Sequence, residues 1–463
     1  MKKLMWLVGI VAASLLVVMA QQTRIEGTVQ QTPGQLPSIA VPDFRGAGEA
    51  TRAMMDAFNQ TLWSDLSGAG VLKMAPKTMY PLNPPQQQSD LTTPPPPPTR
   101  PRRGDPPPPT NGGGRWLTDW SGPPVNANYL AFGYGAVQNG VFVALGWLDD
   151  VTRDSPANAQ MIGKRYAASA DEPGARKAAH EFAADILALF GGQTLAGTHI
   201  YFVSRRTGHQ EIWMMDFDGK NQRQITHYNS DSIEPAVSPD GTKIAFTSYH
   251  RITPGIFVFS VDPPRELRFY NQAASVNSSP TFTPDGQHIV YSSSAGGCCR
   301  IFTANLDGSG FRPISSLHSI DTEPKVNPKT GNEIVFSSGR SGAEQIYRMN
   351  MDGAEIERLS DGTGEAGNPS WHPDGRSIAY AWTRGYAAGA WNIFVMEVAS
   401  RNYIQLTHSE GKNEHPSWAP DGKHLVFART RGRDSQIWTM LADGSQQQQL
   451  TTNGKNDRPV WGK

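Results

Sequence analysis

Cysteine is almost missing. The chain has 463 residues and two cysteines, Cys298 and Cys299, which are neighbours. Two adjacent cysteines close no useful loop, so a disulfide-stapled scaffold is excluded. Net charge is missing as well, because 42 basic residues balance 42 acidic ones. A nucleic-acid footprint needs a concentrated basic face, and none is present. Long hydrophobic runs are scarce. Residues 4–19 are nearly all apolar behind Lys2 and Lys3, and no second run exists. That run is shorter than the roughly 20 residues a spanning helix needs. Val18-Met19-Ala20 supplies the small or aliphatic residues that signal cleavage requires. The expectation is an export signal over residues 1–20 and a mature protein outside the cytoplasm. Catalytic signatures are absent too. There is no Gly-x-Ser-x-Gly elbow, no phosphate-cradling loop and no dinucleotide fingerprint. His180-Glu181 lacks a second histidine four residues on. These absences favour a binding scaffold over an enzyme, with no catalytic residue, cofactor or metal assigned.

What the chain has in abundance is a repeat. Its clearest form is Asn368-Pro-Ser-Trp-His-Pro-Asp-Gly375, followed by a run ending at Trp382. Copies begin at Pro235, Pro280, Pro324 and Pro416, and a stub at Pro459 closes the chain. The prolines are spaced 45, 44, 45, 47 and 43 residues apart. In the Pro-Asp-Gly turn, proline presets one corner and glycine completes the bend. Four short strands per unit at this period is the pattern of propeller blades. The first unit, from Thr198, lacks its first strand, and the stub Arg458-Pro-Val-Trp461 is a first strand without followers. Five full blades and these two pieces make six. The predicted fold class is α+β and multi-domain: a small α/β domain, then a six-bladed β-propeller over residues 198–463 closed by the C-terminal strand.

The first part of the chain reads differently. Residues 21–37 are polar and form an expected flexible tail. Within it, residues 23–29 have strand-like composition, although from composition alone a plain linker is the better reading. Residues 38–44 predict a strand, 50–66 an amphipathic helix and 71–74 a second strand, the opening of an α/β unit. Residues 81–114 hold five prolines at 94–98 and four at 106–109. They read as a polyproline or disordered insertion outside the core. Residues 129–137 and 141–148 predict a hairpin turned at Gln138-Asn-Gly140. A third strand over 160–167 and a helix over 171–190 complete an α/β domain spanning 38–192.

Propellers act mostly at one mouth of the ring. The loops expected there carry arginines (Arg251, Arg300, Arg340, Arg384 and Arg429 among them) and acids (Glu234, Asp321, Glu323, Asp361, Glu410 and Asp457 among them). A solvated face with internal ion pairs is the plain reading; a docking surface for a charged protein is the functional one. Glu234, Glu323 and Glu414 begin innermost strands, so a channel metal is conceivable. His227, His250, His318, His408 and His415 show no ligand spacing. Trp371, Trp418 and Trp461 hold one place in the repeat and read as core.

On its repeats and on the order of export signal, α/β domain and six-bladed ring, the chain resembles the TolB family. The resemblance covers residues 24–463 apart from the proline insertion. It implies a non-enzymatic periplasmic component of the Tol–Pal system, supporting outer-membrane integrity and cell division. It implies that a Pal-like peptidoglycan-associated lipoprotein binds at the propeller mouth, through His227, Glu234, Arg251, Thr322, Glu323, Arg340 and His415. A TolA-like inner-membrane protein would bind the tail at Thr23, Arg24, Ile25 and Val29. A monomer without nucleic acid is expected. The tail is longer and more polar than the family's, and the proline insertion has no counterpart in it. The rival readings are a secreted propeller enzyme, peptidase or oligosaccharide lyase, and a sensor of a small ligand in the channel.

Overall fold

The computed structural model describes residues 36–95, 111–297, 299–316, 319–408 and 410–463. The export signal, the tail residues Thr23, Arg24, Ile25 and Val29, the centre of the proline segment, Cys298 and His318 lie outside the described residues. The chain divides into two compact units, Met1–Gly192 and Gln193–Lys463.

The first unit is built on a sheet with the strand order Lys73–Met74, Ser38–Ala40, Tyr129–Gln138, Val141–Asp150, Gln160–Ser169. The first two pairings are parallel, and the last three strands form antiparallel hairpins. The strand expected over 38–44 is only Ser38–Ala40, and Arg45–Gly46 pairs separately further along Tyr129–Gln138. Pro42 lies between the two and cannot donate to the ladder. Helices Arg52–Gly68 and Glu172–Leu189 cover one face. Their stripes, Phe58, Leu62 and Leu66 on one and Ala179, Phe182 and Ile186 on the other, share one core with Phe142 and Ala144. Asp171 caps the second helix by accepting from the Gly174 N–H at 2.7 Å. His180 Nδ1 meets Asp65 Oδ2 across the two helices at 2.6 Å, which gives this histidine a structural partner. Among the described residues no helix is long and apolar enough to cross a membrane.

The other face of the sheet requires a correction. Residues 81–114 are expected outside the core, yet Leu91 is 6% exposed and packs with Leu117, Trp120, Leu130 and Phe132. Asp119 gathers the N–H groups of Gly112, Gly114 and Trp116. The Trp120 indole donates to the Gly114 carbonyl. The flanks of the proline run therefore cover the sheet. Their proline, glutamine and glycine content reads as linker and hides one apolar anchor and one organising carboxylate.

The second unit is the expected ring. Six four-stranded antiparallel sheets follow one another among the described residues. Blade 1 is assembled from both ends of the unit: Asn456–Gly462, His199–Ser204, Glu211–Asp216, Arg223–Gln224. The C-terminal strand is innermost and pairs antiparallel with His199–Ser204. Blades 2 to 6 start at Ser232, Asn277, Asp321, Ala366 and Lys412. Their second strands are buried through most of their length, as in Ile244, Ala245 and Phe246, because neighbouring blades cover both faces. In each Pro-Asp-Gly turn the aspartate accepts the N–H two residues on, as Asp374 does from Arg376 at 2.8 Å. The glycine has positive φ, +71° at Gly375, where a Cβ would lie 2.4 Å from Asn327 Oδ1. This explains the motif as a strand-turning device. Trp371, Trp418 and Trp461 are 6%, 7% and 6% exposed, so they are core.

Trp461 clasps the ring. Its N–H donates to Ser417 Oγ in blade 6 at 3.0 Å, and its indole donates to Thr198 Oγ1 at 2.9 Å. Trp461→Ala should destabilise the propeller by about 3–5 kcal/mol, the usual range for emptying a buried tryptophan site. Truncation after Asp457 removes most of the innermost strand of blade 1 and should lower the melting temperature further. Urea unfolding and calorimetry of the full chain test both; a melting curve unchanged by truncation refutes closure by this strand.

Candidate functional site

The innermost strand of every blade is interrupted at one place. Glu234, Ser279, Glu323, Asn368, His415 and Arg458 each stand immediately before the repeat proline and have φ between +50° and +57°. The ladder to the second strand shifts register at each of these residues. Such a bulge re-aims a side chain. Here the six bulged residues all line one cavity of about 170 Å³. Glu234, Glu323 and His415 are among the residues singled out from sequence. The other three went unnoticed, although their fixed place before each proline was a readable signal.

The ring residues reach across blades. Ser279 N–H donates to Glu234 Oε2, and Asn368 N–H donates to Glu323 Oε2, both at 2.8 Å. His415 N–H donates to Asn368 Oδ1 at 3.3 Å. The Asn368 amide adds a bond to Glu323 Oε1 at 2.8 Å, and Arg458 Nη1 pairs with Glu234 Oε1 at 3.1 Å. Burial works to raise the Glu323 carboxyl, but the charge of His415 and the bonds from Asn368 and Ser337 hold it below the usual value. Thr322, one residue before Glu323, is partly exposed.

The remaining candidates do not join this ring. Arg340 turns into its own blade. Its Nη2 contacts both oxygens of Asp321, at 2.9 and 3.0 Å, and its guanidinium stacks on Phe336 and Tyr347. The arrangement recurs: Arg206, Arg384 and Arg429 each stack on two aromatic rings of their own blade. Ion pairs Arg384–Asp361 and Arg429–Glu410 occupy further rim charges. The mixed-charge rim is therefore largely paired within itself. Arg251 and His227 are exposed at blade 2, away from the bulged ring. Arg251 pairs with Glu266 at 3.1 Å, and Tyr228 stacks on His250 at 4.2 Å between ring centroids. These neighbours place His227 and Arg251 in one lateral patch.

One further acid belongs to the mouth. The Glu344 carboxylate lies where a Cβ on Gly367 would approach its Oε1 to 3.3 Å. Burial pushes Glu344 up to about 7, and the charges of Glu323 and Glu365 act in the same direction, while the Ser337 hydroxyl opposes them. Nothing in its local sequence announces this, because the cause is burial in the folded propeller, reinforced by carboxylates distant in sequence. Among the described residues no cluster of three or more histidine, cysteine, aspartate or glutamate side chains has metal-holding geometry.

Two expectations follow. Asp321 is fully buried, so Arg340→Ala leaves an unpaired carboxylate and should cost about 3–5 kcal/mol in urea unfolding. The double variant Arg340→Met with Asp321→Leu should recover most of that loss. For Glu344 the folded value lies above the unfolded one, so the folded state holds the extra proton. Stability from this group is present below about pH 4.5 and is lost as pH rises toward 7. Glu344→Gln should raise the melting temperature at pH 8 and change it little at pH 4; equal shifts at both would contradict the assignment.

Comparison with known proteins gives a family. The model of the TolB beta propeller domain matches residues 188–463, more than half of the chain. The TolB homolog of Chlorobium luteolum is 33% identical over 169 residues, 36% of this chain and 38% of that protein. The Tol-Pal system protein TolB of Gluconobacter oxydans is 36% identical over 228 residues, 48% of this chain and 49% of that protein. The matched stretches thus span less than half the length of these relatives. The crystal structure of TolB from Acinetobacter baumannii shares the fold, with a TM-score of 0.72 over 93% of this chain and 97% of its own, at 21% identity. The chain belongs to the TolB family.

Proposed function

We propose that the protein is a periplasmic, non-enzymatic component of a Tol–Pal envelope system, acting in outer-membrane integrity and cell division. It binds a Pal-like peptidoglycan-associated lipoprotein at the propeller mouth and a TolA-like inner-membrane protein through tail residues Thr23, Arg24, Ile25 and Val29. The observation that carries this reading is the family match over the whole propeller, residues 188–463. Relatives named as Tol-Pal system proteins support it. The mouth offers two surfaces for the lipoprotein. One is the ring with Glu234, Thr322, Glu323 and His415. The other is the exposed patch with His227 and Arg251. Exposed, weakly committed groups set specificity and association rate in such contacts. Arg340 supports the mouth by fixing Asp321, so its replacement would change blade 4 together with any docking.

Surface capture of the soluble domain of a Pal-like lipoprotein tests the reading. Glu323→Gln and the pair His227→Ala with Arg251→Glu should each weaken capture at least tenfold, with the melting temperature monitored alongside. Deletion of residues 23–29 should abolish capture of a TolA-like domain and leave the lipoprotein affinity unchanged. Undiminished capture by both mouth variants would reject this placement.

A further inference from the structure

Below the bulged ring lies a second layer. Two residues on from each bulge, Ala236, Thr281, Lys325, Ser370, Ser417 and Val460 line the same cavity. Five of the six are small. Lys325 is the exception, a long cation placed where every other blade has a short side chain. It is partly exposed to the cavity. Its ammonium carries three donors. Among the described residues no side chain accepts from it, and no carboxylate lies within 4.0 Å. The nearby acids are already used. Both oxygens of Glu234 are occupied by Arg458, Thr247 and Ser279. Both oxygens of Glu323 are occupied by Asn368 and Ser337. Burial lowers the Lys325 ammonium from its ordinary value, and Glu323 and Glu234 pull it back only through longer-range charge.

Two hydroxyls complete the picture. Ser370 Oγ accepts the Trp418 N–H at 3.3 Å, and Ser417 Oγ accepts the Trp461 N–H at 3.0 Å. Each oxygen is fixed by a backbone donor, and neither hydroxyl proton is given to a described residue. With the Thr281 hydroxyl, their layer therefore holds one ammonium and three hydroxyl groups, in a cavity large enough for a few non-hydrogen atoms.

We propose that the propeller channel binds a carboxylate group against Lys325, within the layer shared with Ser370 and Ser417. A singly charged carboxylate fits better than a doubly charged phosphate, because Glu234 and Glu323 line the same cavity and repel added negative charge. The group comes either from a small free organic acid or from an aspartate or glutamate side chain presented by a docked protein. The proposal holds whether or not the partner at the mouth is Pal-like.

Titration of the full chain with butyrate, and with a short peptide carrying one glutamate, tests it by calorimetry and by NMR of the lysine ammonium. Butyramide and the glutamine twin of the peptide are the neutral controls. Lys325→Met and Lys325→Thr, the latter copying Thr281 of blade 3, should weaken binding at least tenfold. Binding of butyrate identifies a free-acid site, and binding of the glutamate peptide alone identifies a partner's side chain; either supports the proposal. No binding of either probe, equal binding of the neutral twins, or unchanged affinity in both variants overturns it.

Discussion

The ring depends on a bend in its innermost strands. Six residues that precede a proline are held at positive φ, a conformation that a residue with a side chain adopts at a cost on the order of 1–3 kcal/mol. The bend breaks the ladder once per blade and turns the bulged side chain toward the next blade. Glu234 and Glu323 then take the N–H of the following bulge, and Asn368 takes that of His415. Strain within each blade is thus offset by bonds between blades. Ser279 is too short to continue the chain of bonds to Glu323, and Arg458 answers with a guanidinium to Glu234. The ring is sixfold in backbone and unequal in chemistry, and that inequality gives the mouth its character.

The same division governs the charges. Arginines at the mouth could serve as docking groups or as parts of the blade, and sequence alone leaves both open. The stacking of Arg206, Arg340, Arg384 and Arg429 on aromatic residues of their own blades assigns them to the blade. A guanidinium that lies flat on an aromatic face and also pairs with a buried carboxylate, as Arg340 does with Asp321, is held by both faces and edges. The charges left to meet a partner include those on the rim of blade 2 and in the channel. Pairing within the blades therefore leaves a smaller charged face than the chain's balance of 42 basic and 42 acidic residues suggests.

Much of the fold was legible because its causes are local and periodic. The Pro-Asp-Gly turn is a device within eight residues, and its period marks the blades. The missing first strand near Thr198 and the surplus strand at Trp461 are both visible in one sequence, so ring closure could be inferred. The covering of the N-terminal sheet was not legible. It rests on Leu91, Trp120 and the carboxylate of Asp119, scattered through proline- and glycine-rich flanks whose composition reads as linker. The site was half legible. Glu234 and Glu323 stood out as acids at strand starts and His415 as a histidine of the mouth, but their bonds join residues about 45 positions apart. Arg340 is expected at the mouth from its loop position, while its commitment to Asp321, Phe336 and Tyr347 depends on side-chain directions that spacing does not reveal.

Repetition makes departures informative. When six blades solve the same packing problem, a side chain that every other blade omits is not required by the fold. Lys325 is such a departure, since alanine, threonine, serine and valine fill its place elsewhere in the layer. Burying an ammonium without an acceptor is unfavourable, and a hydroxyl or methyl group would avoid the cost. The neighbouring carboxylates could have offset it, yet the bend-driven bonds between blades have already claimed their oxygens. The constraint that builds the ring therefore leaves its one inward lysine unserved, and it does so inside the cavity toward which all six bends point.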